Sequence, residues 1–214
     1  MLHRTNRMIP DLRPVPQRPP VQTPRRAGLA VVPIRALGVE HRASLLRHLL
    51  ALVPEDRYLR FGHAASDRQL RDYVQHIDFV RDELFGVFDR ELELVAAAHL
   101  ALAGAPGGEA EFGVSVRPDG RGRGLGTRLF ERAATIARNR GLQILRLQCL
   151  SRNRAMIGIA RRAGMSVRNR FDEAEATLRV PPRSLFSHLD EWLSDALGEV
   201  DFAIKQGRRR ARTP

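Results

Sequence analysis

The sequence predicts an α/β (α+β) domain in which strands predominate and helices separate some of them. Short apolar runs rich in β-branched residues alternate with segments whose apolar residues recur every three or four positions. One succession of strand, helix and strand indicates at least one β-α-β unit. A chain of 214 residues with 43% hydrophobic content can bury one sizeable core but is short for two ordinary domains. We therefore expect one folded body with tails.

The N-terminal segment is expected to be disordered over residues 1–27, and the folded body is expected to span residues 28–181. Six prolines stand among arginine and glutamine in the segment, which leaves too little apolar surface for a core. The first strand is predicted at LAVVPI, a short, apolar and β-branched run that begins at Leu29.

Two amphipathic helices are predicted next. The first ends before Pro54, and the second follows Ser66, which is a candidate N-cap. Gln69 stands three residues after Ser66 and would complete a capping box. The apolar positions at helical spacing are Leu45, Leu46, Leu49, Leu50 and Val53 in the first helix and Leu70, Tyr73, Val74 and Ile77 in the second.

Three strands are predicted in the middle of the chain. ELFGVFD (83–89) and ELELVAAAHLAL (91–102) should form a hairpin, because only Arg90 separates them. Glycines and a proline then interrupt the chain. The third strand starts at Glu109 and leads through a glycine-rich loop into a helix that Gly141 ends.

The remaining elements are a strand at 142–150, a short helix at 153–163 and one or two strands within 165–180. An amphipathic helix is predicted over 182–204 and a basic tail over 205–214. The apolar stripe of this helix must be buried, either against the body of a monomer or in a homodimer. Its periodicity alone does not choose between the two.

The net charge of +12 is concentrated at the two ends of the chain. Residues 1–26 contribute +5, residues 205–214 contribute another +5, and the body retains only +2. We interpret the ends as solvated tails, with weak, salt-sensitive contact to nucleic acid or an anionic surface as the alternative.

The sequence argues against a metal site, an internal disulfide and a membrane-spanning segment. Cys149 is the only cysteine, so neither an internal disulfide nor a cysteine-based zinc cluster is expected. The histidines lack metal-ligand spacing, and we expect no metal. The first residues lack the apolar stretch of a secretion signal, and no apolar run approaches the roughly 18 residues of a membrane span. We therefore expect a cytoplasmic protein without a membrane partner.

The most informative stretch is the glycine-rich loop before the central helix. Glycines at 120, 122, 124 and 126 let the backbone turn tightly and present successive N–H groups beside a helix N-terminus. This arrangement suits a pyrophosphate, and Arg121 and Arg123 would add charge-assisted hydrogen bonds. A P-loop or Rossmann site fits less well, because the loop lacks Gly-Lys-Ser/Thr and antiparallel strands are predicted before it.

The succession of strand, Arg-x-x-Gly-x-Gly (121–126), helix, strand, Asn153 and ARRAGM (160–165) resembles the GNAT superfamily of acetyl-CoA-dependent N-acetyltransferases. The resemblance covers roughly residues 29–180. PEDRYLRF (54–61) and HIDF (76–79) also look like the acetyltransferase domain of bacterial Pat-type protein-lysine acetyltransferases. The resemblance to the GNAT superfamily implies a central mixed, mostly antiparallel sheet of six to seven strands with flanking helices and an extra C-terminal helix. It also implies acetyl-CoA as cosubstrate.

The resemblance assigns the binding of acetyl-CoA to particular positions. Val114 and Val116, on a strand that splays from its neighbour at a bulge, would offer backbone groups to the pantetheine amides and the thioester carbonyl. Asn153 would contact the cofactor, a role compatible with capping the following helix. The positions implied for the pyrophosphate are Arg121, Gly122, Arg123, Gly124, Leu125, Gly126 and Thr127.

Glu111 occupies the position at which Pat-like enzymes place a general base. The chemistry requires such a group, because an ammonium must lose its proton before it can attack a thioester. Glu109, two residues earlier on the same strand face, is an alternative base, and a plain surface carboxylate is the other interpretation of Glu111. The family's usual tyrosine, a general acid, is replaced here by Ala160. Cys149 is expected to be a small core residue.

These features predict acetyl transfer to an amine by direct attack, with a small molecule or a protein lysine as acceptor, since the fold does not fix the substrate. The Pat-like fragments favour lysine. A non-catalytic acetyl-CoA sensor remains an alternative because the usual tyrosine is absent, and nucleic-acid binding through the tails is a third. Lys205 is the only lysine, so the chain could acetylate its own side chains nowhere else.

Overall fold

The computed structural model describes residues 33–103, 108–181 and 185–210, without the side chains of 185–192, 194 and 210. The strands are β1 (Arg35–Ala36), β2 (Glu83–Phe88), β3 (Leu94–Ala103), β4 (Glu109–Val116), β5 (Ile144–Leu150), β6 (Ser166–Arg170) and β7 (Glu173–Arg179). The helices are α1 (Arg42–Leu50), α2 (Pro54–Phe61), α3 (Asp67–His76), α4 (Leu125–Asn139), α5 (Arg154–Arg162) and α6 (Leu185–Arg210). The segment predicted to be disordered lies outside the described residues.

The strands form one sheet in the order β1-β2-β3-β4-β5-β7-β6. Every neighbouring pair is antiparallel except β4 and β5, which are parallel. The parallel pair is joined through α4, so the predicted β-α-β unit is present. The predicted mixed, mostly antiparallel sheet is confirmed.

The two parallel strands separate after a short paired stretch. Glu109–Glu111 pair with Ile144–Arg146, and no pairing between these strands continues beyond that point. β4 runs on to Val116 in unbroken register with β3, while β5 keeps its full pairing with β7. The predicted bulge is therefore wrong, because the gap opens where β5 diverges from β4 without an extra residue in β4. α2 contacts both strands beside this gap.

Helices cover both faces of the sheet. On one face, α4 and α5 pack over a core that includes Phe112, Leu129, Ile136, Leu145 and Ile159. On the other face, α1 and α3 bury Leu45, Leu49, Leu70, Val74 and Phe88. α6 contacts α4 and β1 at the edge of the sheet. Side chains at alternate positions of β4 therefore point toward two different helical layers.

The predicted helices and hairpin are largely confirmed. Ser66 caps α3, since its Oγ accepts from the Gln69 N–H (3.3 Å) and Gln69 Oε1 accepts from the Ser66 N–H (2.9 Å). The hairpin turn is longer than predicted: β3 begins at Leu94, and Asp89 Oδ1 accepts from the Glu93 N–H (2.8 Å). The carboxylate thus holds a turn that the alternating sequence pattern hides.

Three boundaries differ from the predictions. Of the strand expected at LAVVPI, residues 29–32 lie outside the described ones. Pro33, which has no N–H to donate to a ladder, and Ile34 are not in a strand, and the two-residue β1 follows them. α2 was not predicted, although Pro54 stands at its first position with acidic residues behind it, a helix-start pattern. α6 continues to Arg210 instead of ending at 204, and basic residues are favourable at a helix C-terminus.

Among the described helices, none combines the length and apolar character that crossing a bilayer requires.

Candidate active site

A cavity of about 470 Å³ lies where β4 and β5 have parted. It is lined by the end of β4, the glycine-rich loop, the first turns of α4 and α5, and one side of α2. Arg123 is exposed and lies outside this lining. The predicted cofactor-binding residues that line the cavity are Val114, Val116, Arg121, Gly122, Gly124, Leu125, Gly126, Thr127 and Asn153.

The backbone of β4 offers unpaired groups to this cavity. Alternate residues of an antiparallel strand direct their N–H and C=O to opposite sides, and the Arg117 N–H donates to the Val95 carbonyl on β3 (2.9 Å). The backbone groups of Val114 and Val116 must then point away from β3, toward the space that β5 has left. Arg121 Nε donates to the Val116 carbonyl (3.4 Å), and the backbone groups of Val114 have no hydrogen-bond partner among the described residues.

The glycine-rich loop ends in an uncapped helix N-terminus. Gly122 and Gly124 have φ of 71° and 73°, a left-handed conformation that residues with a Cβ adopt at a cost. Gly124 is the N-cap of α4, and no side chain caps the first turn. The first N–H groups of this helix are therefore available to an anion. Gly126 allows close packing, since a Cβ there would lie 3.1 Å from Ile159 Cδ1.

Charged side chains surround the same cavity. Arg121 forms an ion pair with Asp56 of α2, so its guanidinium ties the loop to α2 and is only partly available to a ligand. Asp56 Oδ2 is buried and has no hydrogen-bond partner among the described residues. Arg162 donates to Thr127 Oγ1 (3.2 Å), and Arg154 lies about two turns earlier on α5. Sequence reasoning had singled out neither of these arginines of α5.

Asn153 holds two elements together. Its Oδ1 accepts from the Met156 N–H (3.2 Å), which caps α5, and its Nδ2 donates to the Leu59 carbonyl of α2 (3.5 Å). The side chain is buried at the cavity wall. Both ends of the amide therefore have protein partners, and the capping role predicted for Asn153 is confirmed.

A second cavity, of about 390 Å³, is lined by the end of α2, β4, β5 and the β6–β7 hairpin. Leu59 and Arg60 line both cavities, so the two spaces meet at α2. Glu111 lines the second cavity and lies outside the lining of the first. The charged residues of the second cavity are Arg60, Glu111, Arg170, Glu173 and Glu175.

The two candidate bases on β4 have different surroundings. Glu109 accepts two hydrogen bonds from Arg146 (2.5 and 2.9 Å), and these bonds lower the pKa of its carboxyl. Arg146 also donates to Glu175 (2.6 Å). A carboxylate held in this way is a weaker proton acceptor, so Glu109 is the poorer candidate. Glu111 is exposed and has no ion-pair partner among the described residues.

A hydrogen-bonded chain of polar side chains adjoins Glu111. Tyr73 Oη donates to His99 Nδ1 (2.7 Å), and His99 Nε2 donates to Asp82 Oδ2 (3.0 Å). Arg60 Nη2 donates to Tyr73 Oη (3.1 Å). Burial lowers the pKa of His99 although Asp82 opposes the change, which fits a neutral imidazole that donates at one nitrogen and accepts at the other. The chain therefore ends on the guanidinium that separates the two cavities.

The position of Arg60 depends on a glycine. The guanidinium lies so close over Gly113 that a Cβ at this position would overlap it. His99 pairs with Gly113 in the sheet, and Ala101 pairs with Glu111, so His99 and Glu111 are diagonal neighbours on one face. Arg60 thus stands on β4 beside the predicted base.

His48 lies beneath the end of β4. It is almost fully buried; its Nδ1 donates to the Leu94 carbonyl (2.7 Å) and its Nε2 accepts from the Ser115 hydroxyl (2.8 Å). Burial lowers its pKa to about 4. The ring is neutral at pH 7 and fastens α1 to the strand whose outer edge lines the first cavity.

Comparison with known proteins agrees with this geometry. The model of the Acetyltransferase (GNAT) family matches residues 47–165, more than half of the chain. The chain belongs to the GNAT acetyltransferase family. Its fold is similar to that of the GNAT domain of PAT from S. lividans, with a TM-score of 0.58 and 24% identity over 68% of this chain and 89% of that one.

Two further GNAT structures share the fold at lower identity. One is the spermidine N-acetyltransferase from Vibrio cholerae in complex with CoA and spermine, with a TM-score of 0.55 and 19% identity over 69% of this chain and 94% of that one. The other is an acetyltransferase of the GNAT family from Streptococcus pneumoniae, with a TM-score of 0.55 and 14% identity over 69% and 98%.

For a GNAT acetyltransferase, the position of Ala160 is notable. Ala160 lies on the inner face of α5, is fully buried in the core and lines neither cavity, so its surroundings are apolar. Of the two tyrosines, Tyr73 is the one whose hydroxyl accepts a hydrogen bond from Arg60. Cys149 is only partly buried: it packs against the core, as predicted, and it also lines the second cavity. Burial raises the pKa of its thiol, which disfavours a thiolate nucleophile.

The expectation of no metal was compared with the described part of the chain, in which no group of three or more potential metal-ligating side chains occurs.

Proposed function

We propose that this GNAT protein transfers the acetyl group of acetyl-CoA directly to a primary amine, with a protein lysine as acceptor and Glu111 as general base. The observation that carries the proposal is the meeting of two cavities at Leu59 and Arg60. One cavity offers backbone donors and a helix N-terminus, and the other is lined by Glu111. A thioester and an amine entering from the two sides would meet beside the predicted base.

The first cavity suits acetyl-CoA on several counts. The N–H groups after Gly124 would take the pyrophosphate, and Arg154 and Arg162 would supply further positive charge to phosphate groups. The C=O of Val114 would accept a hydrogen bond from an amide of pantetheine. Asp56 Oδ2, buried without a partner, would accept from a ligand N–H. When bound, acetyl-CoA supplies the thioester carbonyl that the amine attacks.

The second cavity suits a cationic acceptor. Glu111 and Glu173 would attract an ammonium, and Glu111 would take its proton directly or through water. The resulting neutral amine would be the nucleophile. A C–N bond would form and the C–S bond of the thioester would break, and the CoA thiolate that leaves would take a proton from water. The backbone N–H of Val114 would stabilise the oxyanion that develops on the carbonyl, because it is fixed in the strand before the reaction begins.

Arg60 would keep the two spaces distinct. Its guanidinium is held by Tyr73 and stacks on Phe61, with 4.9 Å between its Cζ and the ring centroid. The chain from Asp82 through His99 and Tyr73 would therefore act by positioning Arg60.

The rim of the second cavity supports a macromolecular acceptor. Phe171, in the β6–β7 turn, is fully exposed and has φ of 50°, between two stretches that line the cavity. An exposed aromatic ring beside a charged entrance is a suitable anchor for a protein surface. The Pat-like sequence fragments around α2 and α3 point to the same class of acceptor.

The first experiment is calorimetric titration of the purified protein with acetyl-CoA and with CoA. Gly124→Ala and Gly141→Ala form a matched pair, because both glycines have positive φ, 73° and 68°, at opposite ends of α4. We expect micromolar binding by the wild-type protein that falls at least tenfold in Gly124→Ala and is unchanged in Gly141→Ala. Equal losses in both variants would mean that only stability had changed.

Turnover is then measured with lysine-containing proteins and peptides and with small amines. Transfer to lysine supports the full proposal, and transfer confined to small amines restricts it to the amine class. Tight binding without transfer to any amine would favour the acetyl-CoA sensor. Affinity for nucleic acid that disappears when residues 1–26 and 205–214 are removed would support the third class.

A further inference from the structure

The C-terminal helix α6 has an inner face that holds it against the body. Asp195 forms an ion pair with Arg132, and Glu199 forms another with Arg35 (3.2 Å). Phe202 meets the Phe88 ring edge-on, with 5.0 Å between centroids, and Lys205 Nζ donates to the Phe88 carbonyl (2.7 Å). Gly198 lies so close to the Ile34 carbonyl that a Cβ there would overlap it. The helix is therefore docked along one face.

The opposite face of α6 carries a row of exposed apolar side chains. Leu193, Leu197, Val200 and Ile204 are between 46% and 58% exposed. Their spacings of four, three and four residues follow the heptad seam of a coiled coil. At about 100° per residue, this row lies directly opposite the inner face. Single exposed apolar residues are ordinary, whereas a continuous row at heptad spacing indicates a helical partner.

The charges along α6 indicate which partner fits. Asp190 and Glu191 occupy the first two turns, and Arg208, Arg209 and Arg210 occupy the last turn. Two copies of the helix in antiparallel orientation would place the acidic end of each beside the basic end of the other. A parallel pair would bring like charges together.

The antiparallel register is self-complementary. A two-fold axis midway between Leu197 and Val200 sets position 197 opposite 200 and position 193 opposite 204, so every apolar residue of the row meets another. The same register sets position 190, an acid, opposite position 207, one residue from the basic position 208. Such an isologous interface closes after two copies.

We infer that the outer face of α6 is a homodimer interface, formed with a second copy of this chain as an antiparallel pair of helices. The helix has 26 residues and is therefore about 39 Å long, which leaves room for the full apolar row in the overlap. This interface is separate from both cavities and does not depend on the proposed function.

The oligomeric state is tested by sedimentation of the full chain from about 1 to about 100 micromolar, the range in which modest interfaces associate. Leu197→Glu/Val200→Glu places carboxylates at the centre of the seam, and we expect the dissociation constant to rise at least about 100-fold. Val80→Glu is the control, because Val80 is 94% exposed and lies far from α6 in sequence. Circular dichroism and thermal unfolding show whether each variant remains folded.

The orientation is tested by cross-linking in a Cys149→Ser background. Leu193→Cys and Ile204→Cys are purified separately, reduced, mixed and oxidised. An antiparallel pair joins one variant to the other, and each variant alone cross-links poorly because its two cysteines lie about 16 Å apart, eleven residues along the helix axis. A parallel pair would join each variant to itself.

Several outcomes would overturn the inference. These are a wild-type protein that stays monomeric over the whole range, a dimer that survives Leu197→Glu/Val200→Glu, and self-cross-linking of each cysteine variant. Dimerisation that appears only after residues 1–32 are removed would assign the row to the chain's own N-terminal segment. Binding of the monomer to anionic vesicles through the row would assign it to a lipid surface.

Discussion

The two cavities that meet at α2 are built in different ways. The first is formed mainly by backbone: an uncapped helix N-terminus after Gly124 and the open edge of β4 at Val114. The second is formed by side chains, among them Glu111 on β4 and Glu173 on β7. The first cavity therefore binds through backbone groups, which many sequences with the same turns could supply. The second cavity depends on individual charged side chains.

This difference has a consequence for substitution. A residue of the first cavity contributes mainly through its backbone, so changes that preserve the backbone conformation should be tolerated there. A residue of the second cavity contributes through its side chain, so an isosteric substitution that removes its charge should lower the activity. Catalysis is expected to be most sensitive at Glu111, whose carboxylate would accept the proton of the amine.

The largest effect is expected for Glu111→Gln. Removal of the proton acceptor should lower kcat by roughly 10²- to 10⁴-fold and leave the affinity for acetyl-CoA unchanged. The measurements are steady-state kinetics at saturating acetyl-CoA and calorimetric titration of the same preparation. Glu109→Gln is the matched control, and we expect it to retain most of the activity because Glu109 is already bound by Arg146. The reverse ranking would make Glu109 the base.

The fold and the first cavity were largely predictable from the sequence. The loop from Arg121 to Gly126 is a contiguous stretch of sequence. Its glycines predict a turn and the start of a helix without reference to distant residues. The Ser66 capping box and the β-α-β unit are equally local. The boundaries that failed, at Pro33 and at the hairpin after Asp89, depend on one missing N–H and on one carboxylate that ties down a turn.

The second cavity was less predictable because its residues are distant in sequence. Arg60, Glu111 and Glu173 converge only once the order of the strands is known. Tyr73 fits an apolar helical stripe, and nothing in that stripe shows that its hydroxyl meets His99. The role of α2 was hidden for a similar reason, since Asp56 lines the first cavity and Arg60 lines both cavities from one short helix.

The next largest effect is expected at His48, which lies beneath the end of β4, and it is a pH dependence of the free energy of unfolding. The pKa of His48 is lowered by burial from 6.5 to about 4, so the native state resists a proton that the unfolded chain accepts. The stability that neutral His48 preserves is present above pH 6.5 and is lost as the pH falls toward 4, by about 3 kcal/mol. Urea unfolding at a series of pH values measures it.

His48→Gln is the variant that isolates this contribution. Between pH 6.5 and 4 it should lose less stability than the wild-type protein, although it should be less stable at pH 7.5 because the buried hydrogen bonds change. Some dependence should remain, because burial also lowers the pKa of His99 and of His41. An identical slope in the variant and the wild-type protein would exclude His48 as the main source.

A smaller effect is expected where the two cavities meet. Tyr73→Phe removes the hydrogen bonds that Tyr73 makes with Arg60 and His99, and we expect kcat/KM to fall about tenfold, a change of about 1.4 kcal/mol. The loss should appear mainly in kcat, since Tyr73 holds Arg60 at the point where the two cavities meet. Tyr58→Phe is the control, because it is the other tyrosine and its ring stacks with Arg152. Equal losses would indicate a general effect of removing a phenol.

The smallest effect is expected at the rim of the second cavity. Phe171→Asn removes the exposed ring and keeps a residue that tolerates φ of 50°, so the turn should remain intact. We expect KM for a protein acceptor to rise roughly threefold to tenfold, as for loss of one peripheral anchor, with no change for a small amine. Val80→Asn, at another exposed apolar site, should change neither value. If Phe171→Asn raised KM for the small amine as well, the ring would belong to the cavity itself, and the second cavity would be too enclosed to receive a side chain from a folded protein.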